Sequence, residues 1–272
     1  MPLITLLTDF GVQDYFVGAM KGVILSINPT ATIVDITHEI SPQDIESAAF
    51  NLLSCHGDFP DGTIHVAVVD PGVGSDRRAI VLKCGDQFFV GPDNGLFSWI
   101  CEREQTWTAV QITNERFFHH PVSKTFHGRD IFAPVAAALS RGHEPQEFGP
   151  ALTEIVQLES LEPAMTGANT IEGRIIHIDH FGNCVTNFTR RTLESSGGPT
   201  SWRMTISDRE ITSFRGFFSD SKPEELFAIV GSAGFIEICV RNGSAANLLN
   251  VQRGQSVQLR GAALREIRAR SM

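Results

Sequence analysis

The hydrophobic pattern changes near residue 150, and this change constrains the fold more than any other feature of the sequence. Before it, short apolar runs alternate with stretches that carry apolar residues at helical spacing. The runs predict strands at residues 3–7, 31–36, 63–69, 79–84 and 87–90, and the periodic stretches predict helices at residues 15–27, 45–55, 96–102 and 131–140. Strands separated by helices of this length favour a parallel sheet that is covered on both faces. We therefore expect residues 1–160 to form an α/β domain with three layers, α/β/α, and a mostly parallel sheet.

After residue 150 the predicted strands follow one another without helices between them. Residues 151–168 show little periodicity and contain the breakers Pro163 and Gly167, which marks a domain boundary. The later strands are predicted at residues 170–178, 184–188, 202–206, 226–230, 235–240 and 256–259. Short turns between such strands favour a small antiparallel barrel. We expect residues 168–272 to form this β-barrel domain, with residues 195–199 as a connection.

Composition and charge limit the class of protein. Of the 272 residues 42% are hydrophobic, enough for a sizeable core, and the net charge of −9 disfavours nucleic acid and anionic membranes as partners. No apolar run reaches the ~18 residues of a membrane-spanning helix, and residues 1–8 lack the basic start of a secretion signal. The five cysteines are scattered and never form a C-x-x-C pair, which argues against a disulfide framework and predicts a reducing, cytoplasmic location.

Polar clusters follow several of the predicted strands, which is where ligands bind in α/β sheets. Four clusters follow strands: Asp9 with Asp14, and residues 35–39, 70–78 and 91–95; a fifth, residues 125–130, precedes the last predicted helix. Because the carboxyl ends of parallel strands share one edge of a sheet, these clusters together predict a small-molecule site.

Each cluster also has a purely structural alternative. Asp9 could cap a turn, and residues 93–95 (Asp-Asn-Gly) have the composition of a tight turn. His127 could be a loop histidine satisfied by its neighbours. The glycines of residues 70–74 do not form a known phosphate-binding loop, because they fit neither the Gly-Lys-Ser/Thr nor the G-x-G-x-x-G pattern.

Two histidine-containing stretches raise the question of a metal. His119 and His120 are adjacent, and His177 lies close in sequence to Asp179 and His180. Neither stretch has the spacing of a helical H-x-x-x-H pair, and adjacent residues of a strand point to opposite faces. We expect no metal site.

In the second domain, residues 179–183 (Asp-His-Phe-Gly-Asn) interrupt a predicted strand pair. Phe181 could stack on a flat heteroaromatic ring while Asn183 bonds the edge of that ring. The alternative is a glycine bulge with Phe181 in the core.

Six motifs occur in one order, and together they resemble a known family. They are Thr8-Asp9-Phe10-Gly11 with Asp14, Asp35-Ile36-Thr37-His38, residues 69–74 (Val-Asp-Pro-Gly-Val-Gly), residues 91–95 (Gly-Pro-Asp-Asn-Gly), residues 125–130 (Thr-Phe-His-Gly-Arg-Asp) and residues 179–183. Over nearly its whole length, the chain resembles the S-adenosyl-L-methionine (SAM) hydrolases that form adenosine, also called SAM hydroxide adenosyltransferases. These are relatives of the SAM-dependent fluorinase and chlorinase.

The resemblance implies an enzyme that hydrolyses its substrate SAM to adenosine and L-methionine, with no metal and no other cofactor. It implies an α/β N-terminal domain, a β-barrel-like C-terminal domain and a homotrimer. The active site of such a trimer lies between the N-terminal domain of one subunit and the C-terminal domain of its neighbour.

The resemblance also assigns roles to particular residues. The catalytic Asp-Arg-His set falls on Asp70, Arg77 and His127, and the adjacent Arg78 is the alternative to Arg77, which the seven-residue offset from Asp70 favours. The implied substrate-binding residues are Asp9 at the ribose hydroxyls, Asp14, Asp179 and Ser232 at the methionine end, Phe181 and Asn183 at the adenine with the backbone of Asn242 and Gly243, and Phe126 and Gly128 on either side of His127.

The family's chemistry requires water or hydroxide in line with the bond between ribose C5′ and sulfur. The leaving group is a neutral thioether, so no general acid is needed, and alignment of the reactants supplies much of the rate. In the fluorinase a tyrosine occupies the position of His127, and the halide-binding serine occupies that of Gly128; the chlorinase also has glycine there. His127 with Arg77 therefore favours water over halide. Ala233 stands where the fluorinase has an arginine near the methionine carboxylate, which leaves that contact unassigned.

The sequence thus predicts a metal-independent SAM hydrolase. A SAM-dependent 5′-halogenase is the nearest alternative, and the set of Asp70, Arg77 and His127 argues against it. A sensor that binds SAM or adenosine without turnover would not need these three residues. A metal-dependent phosphoester hydrolase is a more distant alternative.

Overall fold

The structure, a computed structural model, describes residues 3–167, 169–195 and 202–261. The chain divides into two compact units, with the division between Ser160 and Leu161.

A seven-stranded sheet forms the centre of the first unit. Its strands are β1 (Leu3–Thr8), β2 (Thr32–Thr37), β3 (Ile64–Val68), β4 (Ala79–Cys84), β5 (Gln87–Pro92), β6 (Trp107–Gln111) and β7 (Ala151–Leu152), in the spatial order β2-β1-β3-β5-β4-β6-β7. The first four in this order are parallel. The predicted hairpin between β4 and β5 reverses the chain, so β4, β6 and β7 extend the sheet in antiparallel fashion. The predicted α/β fold is confirmed.

Four helices cover the sheet: α1 (Phe16–Ile27), α2 (Ile45–Cys55), α3 (Ser98–Glu104) and α4 (Ala133–Leu139). Helices α1 and α4 pack against the face that carries Ile4 and Leu6. Because side chains alternate along a strand, Thr5 points to the other face, where its partner His65 contacts the ring of His56 at the end of α2. The sheet is therefore buried on both faces, as its continuous apolar strands predict.

Two local predictions in the first unit differ from the structure. Helix α3 begins at Ser98 rather than at residue 96, because the backbone N–H of Ser98 bonds the carbonyl of Gly95 and closes a turn first. The helix predicted at residues 131–140 is a π-helical turn at Gly128–Phe132 followed by α4. Strand β6 was not predicted, because its short sequence mixes polar and apolar residues without clear alternation.

The second unit is an antiparallel sheet that nearly closes on itself. Its elements are β8 (Ala164–Gly167), β9 (Thr170–Ile178), β10 (Cys184–Thr189), α5 (Arg190–Ser195), β11 (Trp202–Ile206), β12 (Arg209–Ile211), β13 (Leu226–Val230), β14 (Phe235–Val240), α6 (Ala245–Leu249) and β15 (Ser256–Gly261). The spatial order is β12-β11-β15-β9-β10-β14-β13, with β8 beside β9. After β12, the N–H of Arg215 bonds the carbonyl of Ala228 in β13 at 3.0 Å and draws the two ends together. The predicted β-barrel domain is confirmed; its predicted connection at residues 195–199 lies outside the described residues, apart from Ser195 in α5.

Within the described ranges, no helix has both the length and the apolar character to cross a bilayer. All five cysteines carry free thiols.

Candidate functional site

An Asp–Arg–His network lies where β3 ends and β4 begins. The Nε of Arg77 lies 2.9 and 3.0 Å from the two carboxylate oxygens of Asp70, and its Nη2 lies 2.5 Å from Oδ2. The same Nη2 lies 2.7 Å from Nδ1 of His127, fifty residues further along the chain. The side chains of Asp70 and Arg77 are only 5% and 11% exposed. A bidentate, largely buried pair of this kind holds both side chains in a single geometry.

The contact between Arg77 and His127 determines the protonation of the imidazole. A guanidinium carries only donors, so Nδ1 of His127 accepts and the proton of the neutral ring lies on Nε2. Burial lowers the pKa of His127 below its ordinary value, and the positive charge of Arg77 lowers it further, against the smaller opposing effects of Asp70 and Asp130. His127 is therefore neutral at physiological pH and presents an N–H donor at Nε2.

Gly74 allows the loop that carries Asp70 and Arg77 to pack against the segment that precedes His127. Its φ angle is +78°, and a Cβ at this position would overlap the carbonyl oxygen of Lys124. Any side chain would thus force apart the two segments that Arg77 joins.

Arg78 has a different partner from its neighbour. Its Nε lies 2.7 Å from Oδ2 of Asp93, and Oδ1 of that buried carboxylate accepts the N–H of Val156 at 2.8 Å. Beside it, Asn94 donates to the carbonyl of Val69 at 2.8 Å. Residues 93–95 therefore connect loops, which is the structural alternative, and the structure brings Arg77 rather than Arg78 to Asp70 and His127.

A cavity of about 430 Å³ opens beside the network at the carboxyl edge of the parallel strands. It is lined by five of the predicted site residues, Asp9, Asp70, Phe126, His127 and Gly128, and by Phe10, Phe16, Pro42, Gln43, Val68, Pro71, Val73 and Thr125. Arg77 is not among the lining residues and lies behind Asp70. Asp14 is exposed in the turn before α1 and does not line the cavity either.

Asp9 is held by a residue that the sequence did not single out. Its Oδ2 accepts the backbone N–H of Gln43 at 2.8 Å, and Gln43 has a φ angle of +68°. No described residue donates to Oδ1 of Asp9, so this oxygen can accept from a ligand. A left-handed glutamine carries no sequence signal, which is why this contact could not be predicted.

A second cavity, of about 570 Å³, lies in the second unit. It is lined by the predicted residues Phe181, Asn183, Asn242 and Gly243, and by Phe218, Ser219, Val240 and Arg241. The ring of Phe181 is 75% exposed, so the alternative of a core phenylalanine is wrong. The cavity thus combines an exposed aromatic face with polar groups.

The amide of buried Asn183 has a fixed orientation. Its Nδ2 donates to Oδ2 of Asp179 at 2.8 Å, while Oδ1 of Asp179 accepts the N–H groups of Phe181 and Asn183. Because a carboxylate only accepts, the nitrogen of the amide must face Asp179, and its Oδ1 remains available to a donor. Asp179 therefore shapes the turn that presents both Phe181 and Asn183.

Two further polar groups lie near the turn between β13 and β14. Ser232 is exposed there and does not line the cavity. A Cβ on the preceding Gly231 would overlap the carboxylate of Glu237, so that carboxylate lies against the turn. Burial raises the pKa of Glu237, as does the charge of Asp179. No sequence motif marks Glu237, because it lies alone in an apolar strand.

Among the residues that the structure describes, no group of three or more His, Cys, Asp or Glu side chains is arranged to hold a metal ion.

These features define a class of protein: a mixed α/β unit with an acidic, histidine-containing cavity at the end of its parallel strands, joined to an antiparallel β unit with an aromatic cavity. Residues 4–149 match the N-terminal domain of SAM hydroxide adenosyltransferase, and residues 173–258 match the C-terminal domain. The chain belongs to the SAM hydroxide adenosyltransferase family.

Individual relatives agree with this assignment. An (R)-S-adenosyl-L-methionine hydrolase from Salinispora arenicola is 38% identical over 95% of this chain and 97% of its own. A crystal structure of a conserved protein from Thermotoga maritima superposes with a TM-score of 0.87 at 37% identity, over 94% of this chain and 99% of that one. A fluorinase from Nocardia brasiliensis is 26% identical over 95% and 97% of the two chains. The hydrolase is thus the nearer relative of the two enzymes.

Proposed function

We propose that this protein hydrolyses SAM to adenosine and L-methionine, with water as the nucleophile at ribose C5′ and without a metal or other cofactor. The observation that carries the proposal is the network of Asp70, Arg77 and His127 beside the cavity that contains Asp9. The relatives named as SAM hydrolases support the same activity.

The network suits a reaction that needs an oriented water and no acid. Nε2–H of His127 donates to a lone pair of the water, and Asp70 accepts the proton that the water loses. The oxygen then bonds to C5′ while the C5′–S bond breaks, and its electron pair leaves with sulfur as a neutral thioether. Arg77 fixes the positions of the other two side chains relative to each other, so it acts as a positioning residue.

The substrate contacts follow from the two cavities. Oδ1 of Asp9 accepts a ribose hydroxyl, Phe126 and Gly128 form the wall beside His127, and the adenine stacks on Phe181 while Asn183 accepts from its amino group. The backbone of Asn242 and Gly243 completes the adenine pocket. Asp14, Asp179, Ser232 and Glu237 supply polar and negative groups for the cationic methionine end.

We propose that the functional form is a homotrimer, in which the first unit of one subunit and the second unit of its neighbour share each site. The exposed ring of Phe181 supports this arrangement, because a stacking platform that faces solvent in one chain needs a second wall. The free thiols of all five cysteines support a cytoplasmic location.

The relatives from Salinispora arenicola and Methanocaldococcus jannaschii are both named for the (R) form of SAM. We therefore propose that this enzyme prefers the (R) configuration at sulfur.

The test is chromatography of the products from each SAM diastereomer, with and without EDTA and with added chloride, for the wild type and His127→Ala. Equimolar adenosine and methionine that are insensitive to EDTA and absent from the variant support the proposal. A 5′-chloro product indicates a halogenase, and intact bound SAM indicates a sensor. An active monomer on a sizing column would contradict the shared site.

A further inference from the structure

A chain of polar side chains lies behind Asp9 and takes no part in the reaction described above. Nζ of Lys21 lies 2.6 Å from Oδ2 of Asp35, and Oδ1 of Asp35 lies 3.1 Å from Nε2 of His38. Nδ1 of His38 lies 2.9 Å from Oγ1 of Thr8, the residue before Asp9. The side chain of His38 is only 5% exposed and Thr8 is fully buried, so the inner end of this chain is shielded from water.

The inner end of the chain fixes the loop that carries Asp9. Oγ1 of Thr8 accepts the N–H of Phe10 at 3.2 Å, and the carbonyl of His38 accepts the N–H of Gly11 at 2.8 Å. The first bond spans Asp9, and the second fixes the backbone two residues after it. His38 thus contacts the loop through its side chain and through its backbone.

A bulge brings His38 to this position. Along the pair of β1 and β2, Leu6 lies opposite Asp35, but Leu7 lies opposite Thr37, so one residue of β2 is unmatched. The bulge shifts the end of β2 and directs the following residue toward the end of β1. The motif Asp35-Ile36-Thr37-His38 therefore has a structural task at the site, although none of its residues lines the cavity.

We propose that His38 is a positioning residue for ribose recognition: through Thr8 it holds the loop in which Asp9 meets the sugar hydroxyls. The inference rests on the proposed function, in which Asp9 binds the ribose. Asp9 is held on one side by the N–H of Gln43, so a shift of its loop would turn the free oxygen away from the sugar.

The test compares the binding of adenosine with that of 2′,3′-dideoxyadenosine, measured by calorimetry on the full chain. The wild type should prefer adenosine by about tenfold or more, because the dideoxy compound lacks the hydroxyls that donate to the carboxylate of Asp9. His38→Gln, whose amide reaches toward Asp35 but not Thr8, should lose most of this preference while its affinity for the dideoxy compound stays unchanged. His38→Asn, whose amide lies near the position of Nδ1, should retain most of the preference.

Two threonine variants provide a matched pair if the histidine variants fold poorly. Thr8→Val removes the hydroxyl that meets His38 and should reduce the preference as His38→Gln does. Thr5→Val removes a similar buried contact on the same strand, to Nδ1 of His65 at 2.7 Å, and should leave the preference intact.

The outcomes separate the inference from the proposed function. If His38→Gln and Thr8→Val keep the wild-type preference for adenosine, His38 does not act through Asp9. The same conclusion follows if they lower the affinity for both compounds equally. If the wild type shows no preference, or Asp9→Asn leaves it unchanged, Asp9 does not bind the ribose and the proposed site itself is wrong.

Discussion

Nη2 of Arg77 lies 2.7 Å from Nδ1 of His127. In the proposed mechanism, this contact makes His127 a hydrogen-bond donor and Asp70 a proton acceptor at the cavity that both of them line. Because the guanidinium can only donate, it occupies the lone pair of Nδ1 and leaves His127 as a donor at Nε2. Asp70, which the same guanidinium holds, is then the group that can accept a proton from water. Under the proposed mechanism, Asp70 is therefore the proton acceptor and His127 the donor to the water.

Replacement of Arg77 by Lys should lower kcat by about 100-fold or more, because an ammonium cannot hold Asp70 and His127 together. KM should change little, since Arg77 does not line the cavity. Steady-state kinetics with SAM measure both constants. Arg78→Lys is the matched control: it touches Asp93 instead, and it should reduce thermal stability but not kcat. Equal losses in the two variants would contradict the assignment of Arg77.

Activity should persist below pH 6.5, because the reactive form of His127 is neutral and its pKa is lowered by burial and by Arg77. Activity falls as pH drops through this lowered pKa, where the imidazolium and the guanidinium repel each other. In Arg77→Gln the charge of the arginine is gone, so the acidic limb of the pH profile should move to higher pH. A limb that stays in place, or moves to lower pH, would show that Arg77 does not control His127.

Gly74→Ala should reduce kcat at least tenfold, because the new methyl group collides with the backbone of Lys124 and separates Arg77 from His127. Gly62→Ala is a close control, since its φ angle of +79° matches the +78° of Gly74 and nothing lies within 4 Å of its Cβ. The control carries the same backbone strain of about 1 kcal/mol and should keep full activity. If both variants lose activity alike, strain and not contact between the loops is the cause.

Phe181→Ala should raise KM about tenfold with little effect on thermal stability, because the ring is exposed and its stacking on a base contributes ~1–3 kcal/mol. Phe217→Ala removes a similarly exposed ring, 64% exposed, that does not line the same cavity. Its KM should equal that of the wild type. An unchanged KM in Phe181→Ala would show that the adenine does not bind in this cavity.

His65 should make the protein less stable in mild acid. Burial lowers its pKa to about 4, whereas an unfolded histidine titrates near 6.5, so between these values the unfolded chain binds the extra proton. Stability is therefore complete above pH 6.5 and declines as pH falls toward 4, by about 2 kcal/mol between pH 7 and pH 5. Urea unfolding of the wild type and His65→Asn at both pH values measures this difference. The variant should lose about 2 kcal/mol less, and an identical pH dependence would contradict a buried neutral histidine.

The regular elements of this fold could be predicted because local chemistry marks their ends. Helix α2 occupies residues 45–55 as expected, since the side chain of Asp44 accepts the N–H of Ser47 and begins it. The π-helical turn at Gly128–Phe132 has no comparable mark, because the side chain of His127, which precedes it, makes no capping hydrogen bond.

The candidate site likewise has features that the sequence predicts and features that it does not. Asp9 and Asp70 could be predicted to meet, because parallel strands bring their carboxyl ends to one edge of a sheet. His127 precedes a helix instead, and only the family resemblance placed it beside them. The contacts that orient them come from tertiary packing. Gln43 reaches Asp9 through a left-handed backbone, and Thr8 meets His38 across a bulge. Neither arrangement leaves a pattern in the sequence.

The most direct test of the central claim is turnover of SAM in water enriched in oxygen-18, with mass spectrometry of both products. Attack of water at C5′ places the label in the 5′-hydroxyl of adenosine, so adenosine gains two mass units and methionine none. Unlabelled adenosine, or 5′-methylthioadenosine with labelled homoserine, would mean that water does not attack C5′ and would contradict the account.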